Sequence, residues 1–297
     1  MEKIKNSIIK TICFFDLFDK PLLDAEVQKY LIGKKADLKI VRRHLRKMSG
    51  INLSRKGNLF CLKGREGIFE DYKKRQKISE KKWRKARFVA VMLRKTPFIR
   101  GIAVSQNLAI DNAKEKSDID FFIITAKNKV WTVRLLTNLI LDIFQLRKLK
   151  NKTPICPSFL IAKDSISLKE IALRNDIYLA FWISSLRPLF GDDLFDKFLK
   201  ENYWTKKYFP NVKKLEKNKI KINGFLWVVQ KFLEIIFWPL SLFENRLMDI
   251  QIRKIKQNSR KFQNSSLKLD KKTAKIHYQD KRREYYNKWK KLVNLNT

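Results

Sequence analysis

Residues 117–125 read Ser-Asp-Ile-Asp-Phe-Phe-Ile-Ile-Thr, and no other stretch constrains the fold as strongly. A short apolar run of this length, rich in aromatic and β-branched residues, predicts a buried strand. On a strand, residues i and i+2 point to the same face. Asp118 and Asp120 therefore project side by side at the strand's mouth. Two carboxylates that close repel unless a cation lies between them, and Mg²⁺ takes oxygen ligands. Such a pair is suited to gripping a Mg²⁺-bound nucleotide and stabilising phosphoryl transfer. A plain strand-end turn, with Ser117 and Asp118 capping it and Asp120 in solvent, uses the same residues.

The surroundings read as α/β. Residues 98–105 and 155–162 are strand candidates, 107–113 a short helix or loop, and 129–145 a helix with Trp131, Leu135, Leu139 and Ile143 on one stripe. Beyond Asp164 the pattern is helical: 166–186, 193–200, 223 to about 262, and 274–295. Upstream, Ile4, Ile8, Ile12 and Phe15 recur at helical spacing, Pro21 breaks the chain, and a second helix follows over 24–31. Leu38, Val41, Leu45 and Met48 define a third helix. Residues 51–54 and 59–62 flank Arg55-Lys56-Gly57-Asn58, a hairpin signal. Three helices and a hairpin outline a winged helix-turn-helix. Its third helix offers Lys39, Arg42, Arg43, Arg46 and Lys47 to nucleic-acid phosphates. A long basic helix over 67–95 follows, either a solvated connector or, because aromatic and basic residues interleave, a nucleic-acid groove. The expected fold class is α+β, with a winged-helix-like domain (1–66), a basic connector helix (67–97), a small mixed-sheet core (98–164) and a helical C-terminal region (165–297).

The stretch Val104-Ser105-Gln106-Asn107-Leu108-Ala109, Asn112-Ala113 and Ser117-Asp118-Ile119-Asp120-Phe121-Phe122-Ile123-Ile124 resembles the polymerase-beta-like nucleotidyltransferase superfamily. That motif is a Gly-Ser pair, about ten residues, then Asp-x-Asp followed by apolar residues. The resemblance covers 98–125 directly. The whole layout also resembles bacterial nucleotidyltransferase-domain proteins that begin with a winged-helix-like unit. It implies a nucleoside triphosphate donor and two Mg²⁺ ions bridged by Asp118 and Asp120, with Ser105, Gln106, Asn107 and Ser117 around the phosphates. The implied reaction moves a nucleoside monophosphate to an acceptor hydroxyl or phosphate. Two departures stand out. Gln106-Asn107 replaces Gly-Ser, putting a side chain where close backbone approach is wanted. The 155–161 strand lacks the third carboxylate that the family often has; Asp164 beyond it, or Ser158, is the substitute on offer. Both departures leave open a retired enzyme acting as a nucleotide- or nucleic-acid-binding regulator.

The rest of the sequence sets a context. Lys and Arg number 67 against 29 Asp and Glu, a formal charge of +38, which suits a polyanionic partner, although an AT-rich coding sequence also favours lysine. With 44% hydrophobic residues the chain buries a core rather than forming a disordered tail. Cys13, Cys61 and Cys156 are too few and too scattered for a disulfide framework or a CxxC metal site, which suggests a reducing, cytoplasmic setting. The first nineteen residues lack the features of a signal peptide. Residues 222–243 tempt a membrane reading, but Gln230, Lys231 and Glu234 in their middle favour an amphipathic helix packed on protein over a transmembrane segment; attachment to a membrane surface through the basic flank 214–221 is the rival. Trp182, Trp204, Trp227 and Trp238 read as core. His44 reads as a partly exposed helix residue, and His277 as the opening of the last helix.

Overall fold

A computed structural model describes residues 2–147, 153–218, 220, 224–260 and 266–296. The protein is mixed α+β with two sheets. Helix α1 (Glu2–Asp16), strand β1 (Leu22–Leu23), helices α2 (Asp24–Lys29) and α3 (Leu38–Met48), and strands β2 (Leu53–Lys56) and β3 (Leu59–Leu62) form the first unit. Its antiparallel sheet runs β1-β3-β2. The apolar positions that set the helical periods, among them Ile8, Ile12, Phe15, Val41 and Leu45, are buried together. Gly57 takes the positive φ of the hairpin turn.

Helix α4 (Ile68–Arg94) leads to a six-stranded sheet ordered β7-β4-β5-β6-β9-β8. Its strands are β4 (Ile99–Val104), β5 (Ile119–Thr125), β6 (Ile155–Ala162), β7 (Arg187–Phe190), β8 (Ser266–Asp270) and β9 (Thr273–His277). The central strand β5 pairs antiparallel with β4 and parallel with β6. A parallel neighbour requires a crossover, and α6 (Val130–Ile143) supplies it. Side-chain alternation along β5 feeds two cores. Ile119, Phe121 and Ile123 pack with Trp83, Val89 and Leu93 of α4 and Trp131 of α6. Phe122 and Ile124 pack with Trp182 of α7 (Ile177–Ser185) and with Phe195 and Phe198 of α8 (Asp192–Glu201). Helix α5 (Gln106–Ala109) is a single turn between β4 and β5. Helix α11 (Arg282–Asn296) returns to α1, where the Trp289 Nε1–H donates to the Lys10 carbonyl at 2.9 Å.

The C-terminal region departs from the helical expectation. Residues 166–186 are α-helical only from Ile177, and 187–190 form β7. The β4 edge needed a partner, and Pro188 is tolerated because β7 is itself an edge strand. Residues 266–277 form the β8–β9 hairpin, with Ala274 buried in the core and Leu267, Leu269 and Ile276 packed against it. A period of two lay hidden there inside a lysine-rich run. His277 ends β9 rather than opening a helix. The sheet is thus larger than a core confined to 98–164. The long helix expected from 223 is broken near Pro239 into α9 (Gly224–Ile236), a short 3₁₀ turn (Pro239–Phe243) and α10 (Glu244–Ser259), with a bend of 59°. Trp182 is buried as expected, but Trp227 and Trp238 are 53% and 55% exposed. The reason is that α9 turns Gln230 and Glu234 to the protein and its aromatic face outward.

Candidate functional site

Asp118 immediately precedes β5, and Asp120 is its second residue. Their position is fixed from two sides. On the β4 side, the Ser105 amide donates to the Asp120 carbonyl at 3.0 Å and the Ser105 hydroxyl reaches the same oxygen at 3.4 Å. On the α4 side, the buried Lys82 ammonium donates to the carbonyls of Lys114 (2.7 Å), Glu115 (3.0 Å) and Ser117, and to the Ser117 hydroxyl at 3.1 Å. Ser117 in turn donates to the Lys114 carbonyl at 2.8 Å. Lys82 thus ties down the loop that delivers the acid pair. Ser105 and Ser117 spend their hydroxyls on backbone carbonyls.

Neither the Asp118 nor the Asp120 carboxylate forms a hydrogen bond or ion pair among the described residues. Asp118 is exposed and Asp120 half-buried. Burial raises the Asp118 carboxyl above its ordinary range, with Lys82 opposing. Burial, followed by the charge of Asp118, pushes Asp120 up to about 7 against the pull of Lys82. Two like charges held together with no direct ion pair, Lys82 acting on them only at a distance, store repulsion that a bound cation would relieve.

Gln106 and Asn107 open α5 beside this pair. Gln106 has φ +59°, a left-handed conformation that glycine adopts freely and other residues rarely do. Its side chain is drawn away to Tyr178, whose hydroxyl donates to Gln106 Oε1 at 3.0 Å. The turn is therefore of the kind a glycine would make, though built with glutamine. Asn107 is half-buried, and its carbonyl accepts the Asn112 amide at 2.9 Å.

Among the described residues no third acid joins the pair. Cys156 pairs with Asp120 across the parallel β5–β6 ladder, and burial followed by the charges of Asp120 and Asp118 pushes its thiol up to about 12, so it stays protonated. Asp164, the proposed substitute, lies beyond β6 and ion-pairs with Lys272 at 3.0 Å. Among the described residues no group of three or more His, Cys, Asp and Glu is placed to hold a metal ion.

A cavity of about 170 Å³ lies on the sheet face that Asp120 and Phe122 share, lined by Gln106, Phe159, Tyr178, Trp182, Lys275 and His277. Tyr285 stacks on Tyr178 with ring centroids 5.1 Å apart. Burial lowers Lys275 to about 8, reinforced by the nearby positive Arg282. Burial and then Lys275 lower His277 to about 4, so its ring is neutral at pH 7, and its buried Nδ1 has no hydrogen-bond partner. Arg282 is already committed to Asp280 at 2.6 Å and Asp176 at 2.8 Å.

The sequence did not single out Lys82, Tyr178 or Lys275. Lys82 is one of many cations along α4, and Lys275 sits in a strand where the sequence suggested the start of the last helix. Only topology brings them to the site. No family model, curated protein or solved structure matches this chain.

Proposed function

We propose that the protein is a nucleotidyltransferase of the polymerase-beta-like kind, which transfers a nucleoside monophosphate from a Mg²⁺-bound nucleoside triphosphate to an acceptor. The observation that carries this reading is the unpaired, mutually repelling carboxylates of Asp118 and Asp120 at the end of a central strand. An all-oxygen donor pair with an elevated carboxyl is what a hard divalent cation would relieve. Asp118 and Asp120 would hold Mg²⁺. When bound, the ion neutralises charge on the triphosphate during transfer. With two protein carboxylates, the remaining ligands of such an ion would be phosphate oxygens and water.

The other roles follow from this chain's own groups. The left-handed turn at Gln106 preserves a loop that backbone amides can line, so the glutamine replaces the family's glycine at a cost in strain rather than in shape. Lys82 fixes the loop ahead of the acid pair. Tyr178, Lys275 and neutral His277 would orient the nucleoside or the acceptor in the cavity, with Lys275 supplying positive charge and His277 Nδ1 a hydrogen-bonding site.

Isothermal titration with Mg²⁺-nucleoside triphosphates tests this. Binding should require Mg²⁺ and disappear in an Asp118→Asn/Asp120→Asn double variant. Unchanged binding in that variant would overturn the metal role.

A second reading concerns the first unit, which we infer to be winged-helix-like and to contact nucleic acid. Its helix order, its β1-β3-β2 sheet and the exposed row Lys39, Arg43, Arg46 and Lys47 on α3 support it. Binding would serve either a nucleic-acid acceptor or a regulator without transferase activity. A gel shift should then weaken steeply with salt. Absence of binding to duplex and single strands at low salt would remove this reading. The three free cysteines favour a reducing, cytoplasmic setting for either role.

A further inference from the structure

Helices α9 and α10 are built inside out. Their polar side chains face the protein. The Gln230 amide donates to the carbonyls of Thr96 (3.0 Å) and Ile99 (2.8 Å) and accepts from Arg94. Glu234 accepts from Arg100 at 2.6 Å and from the Phe98 amide at 3.1 Å. Glu244 accepts from the backbone amides of Trp131 (2.6 Å) and Thr132 (3.0 Å), capping the start of α6. Lys129 donates to Ser241 Oγ at 2.6 Å.

Their apolar side chains face outward. Phe225, Trp227, Phe232, Ile235, Trp238 and Phe243 are each half or more exposed. Val228, Ile236, Leu242 and Ile250 join them. Exposed apolar residues scattered singly are ordinary, but a run of this size along two consecutive helices marks an interaction surface.

Charge decides the occupant. Between 224 and 260 the only outward acid is Asp249, because Glu234 and Glu244 are turned inward. Arg246, Arg253, Lys254, Lys256 and Arg260 are exposed, as is Lys231, which also ion-pairs with Glu234 at 3.1 Å. The Lys231 ammonium lies 5.9 Å from the Trp227 ring and the Arg246 guanidinium 5.8 Å from the Phe243 ring. Tryptophan and phenylalanine ringed by lysine and arginine match the boundary between acyl chains and anionic headgroups. Two copies meeting through this face would press like-charged rims together. The polar anchors also hold both helices on the body. No single described helix is long and apolar enough to cross a membrane, and the α9–α10 pair passes that test only with its bend.

We propose that α9, the 3₁₀ turn and the start of α10 form a membrane-surface anchor. It seats the protein on an anionic bilayer with the aromatic side chains at the acyl boundary and the basic rim among the headgroups. This proposal is independent of the transferase reading.

The test is sedimentation of the full chain with vesicles of phosphatidylcholine alone, or with about a third phosphatidylglycerol. The protein should bind the anionic vesicles, and binding should fall as salt rises. A Trp227→Ser/Phe232→Ser/Ile235→Ser/Trp238→Ser variant should lose binding by about tenfold or more, while its circular dichroism and nucleotide binding stay unchanged. If that variant misfolds, Lys231→Glu/Arg246→Glu decides: it should weaken binding to anionic vesicles and flatten the salt dependence. Failure to bind anionic vesicles at low salt, or equal binding of the serine variant and the parent, would overturn the proposal. So would a concentration-dependent dimer, abolished by the serine changes, in a protein that ignores vesicles.

Discussion

Replacing Asp120 by asparagine should make the protein more stable and less able to bind metal. In the folded chain this carboxyl sits at about 7, against an ordinary value of 3.8. Between those values the folded state holds a proton that the unfolded state has released, so stability falls as pH rises from about 4 to about 7. A carboxyl raised from 3.8 to about 7 corresponds to about 4 kcal/mol. Solvent at the strand end screens roughly half of that, leaving about 2 kcal/mol lost above pH 7. Asp120→Asn keeps the shape and removes the charge. It should therefore gain about 2 kcal/mol at pH 8, an increase in Tm of about 4–8 °C, and gain nothing at pH 4. The assay is thermal unfolding followed by circular dichroism at both pH values, with and without Mg²⁺. At a hundredfold excess over its Kd, Mg²⁺ should stabilise the parent by about 2.7 kcal/mol and leave the variant unmoved. A variant less stable than the parent at pH 8, or an equal gain at both pH values, would refute the argument that Asp120 carries uncompensated charge.

Three further outcomes follow from the same geometry. Lys82→Met should cost about 2 kcal/mol in urea unfolding, because three part-buried carbonyls lose their only charged donor; it should also weaken Mg²⁺ binding by releasing the 114–117 loop. Glu244→Ala should cost about 2 kcal/mol, since it strips the cap from α6 and one of the ties that hold α10, and Glu244→Gln should recover part of it. His277 is held neutral, its value lowered from 6.5 to about 4, so the folded state resists a proton that the unfolded state accepts. Stability should fall by about 2 kcal/mol as pH drops from 6.5 through 4, and His277→Gln should flatten that slope in pH-dependent unfolding.

What could be read in the sequence followed local periodicity. The stretch from Ser117 to Thr125 announced a buried strand with two acids on one face, because alternation and apolar character are written residue by residue. The helices of the first unit were legible for the same reason. The β8–β9 hairpin was not, since lysines at 268, 271, 272 and 275 masked a pattern that made sense only once β6 presented a bare edge. The orientation of α9 was misread for a subtler reason. A helical period says that one face is apolar, but not that this face points inward. Gln230 and Glu234 looked like interruptions of an apolar helix, and they are its anchors. At the site, the acid pair was visible, but its supports were not. Lys82 is indistinguishable in sequence from its neighbours, and Gln106 gave no sign that its backbone would adopt a glycine-like turn.

The packing of α11 on α1 has a consequence for biosynthesis. The core of the first unit contains Val293, and the Trp289 ring lies 6.4 Å from Phe14. At about 5–20 residues per second, a ribosome that has finished α1 needs on the order of 15–60 s to deliver its partner helix. Until then the side of α1 that meets α11 lacks that cover, while α2, α3 and β3 shield the rest. Helix α1 therefore completes its contacts only after α11 has been made, and Phe14 lacks the Trp289 ring beside it throughout the synthesis of everything between them.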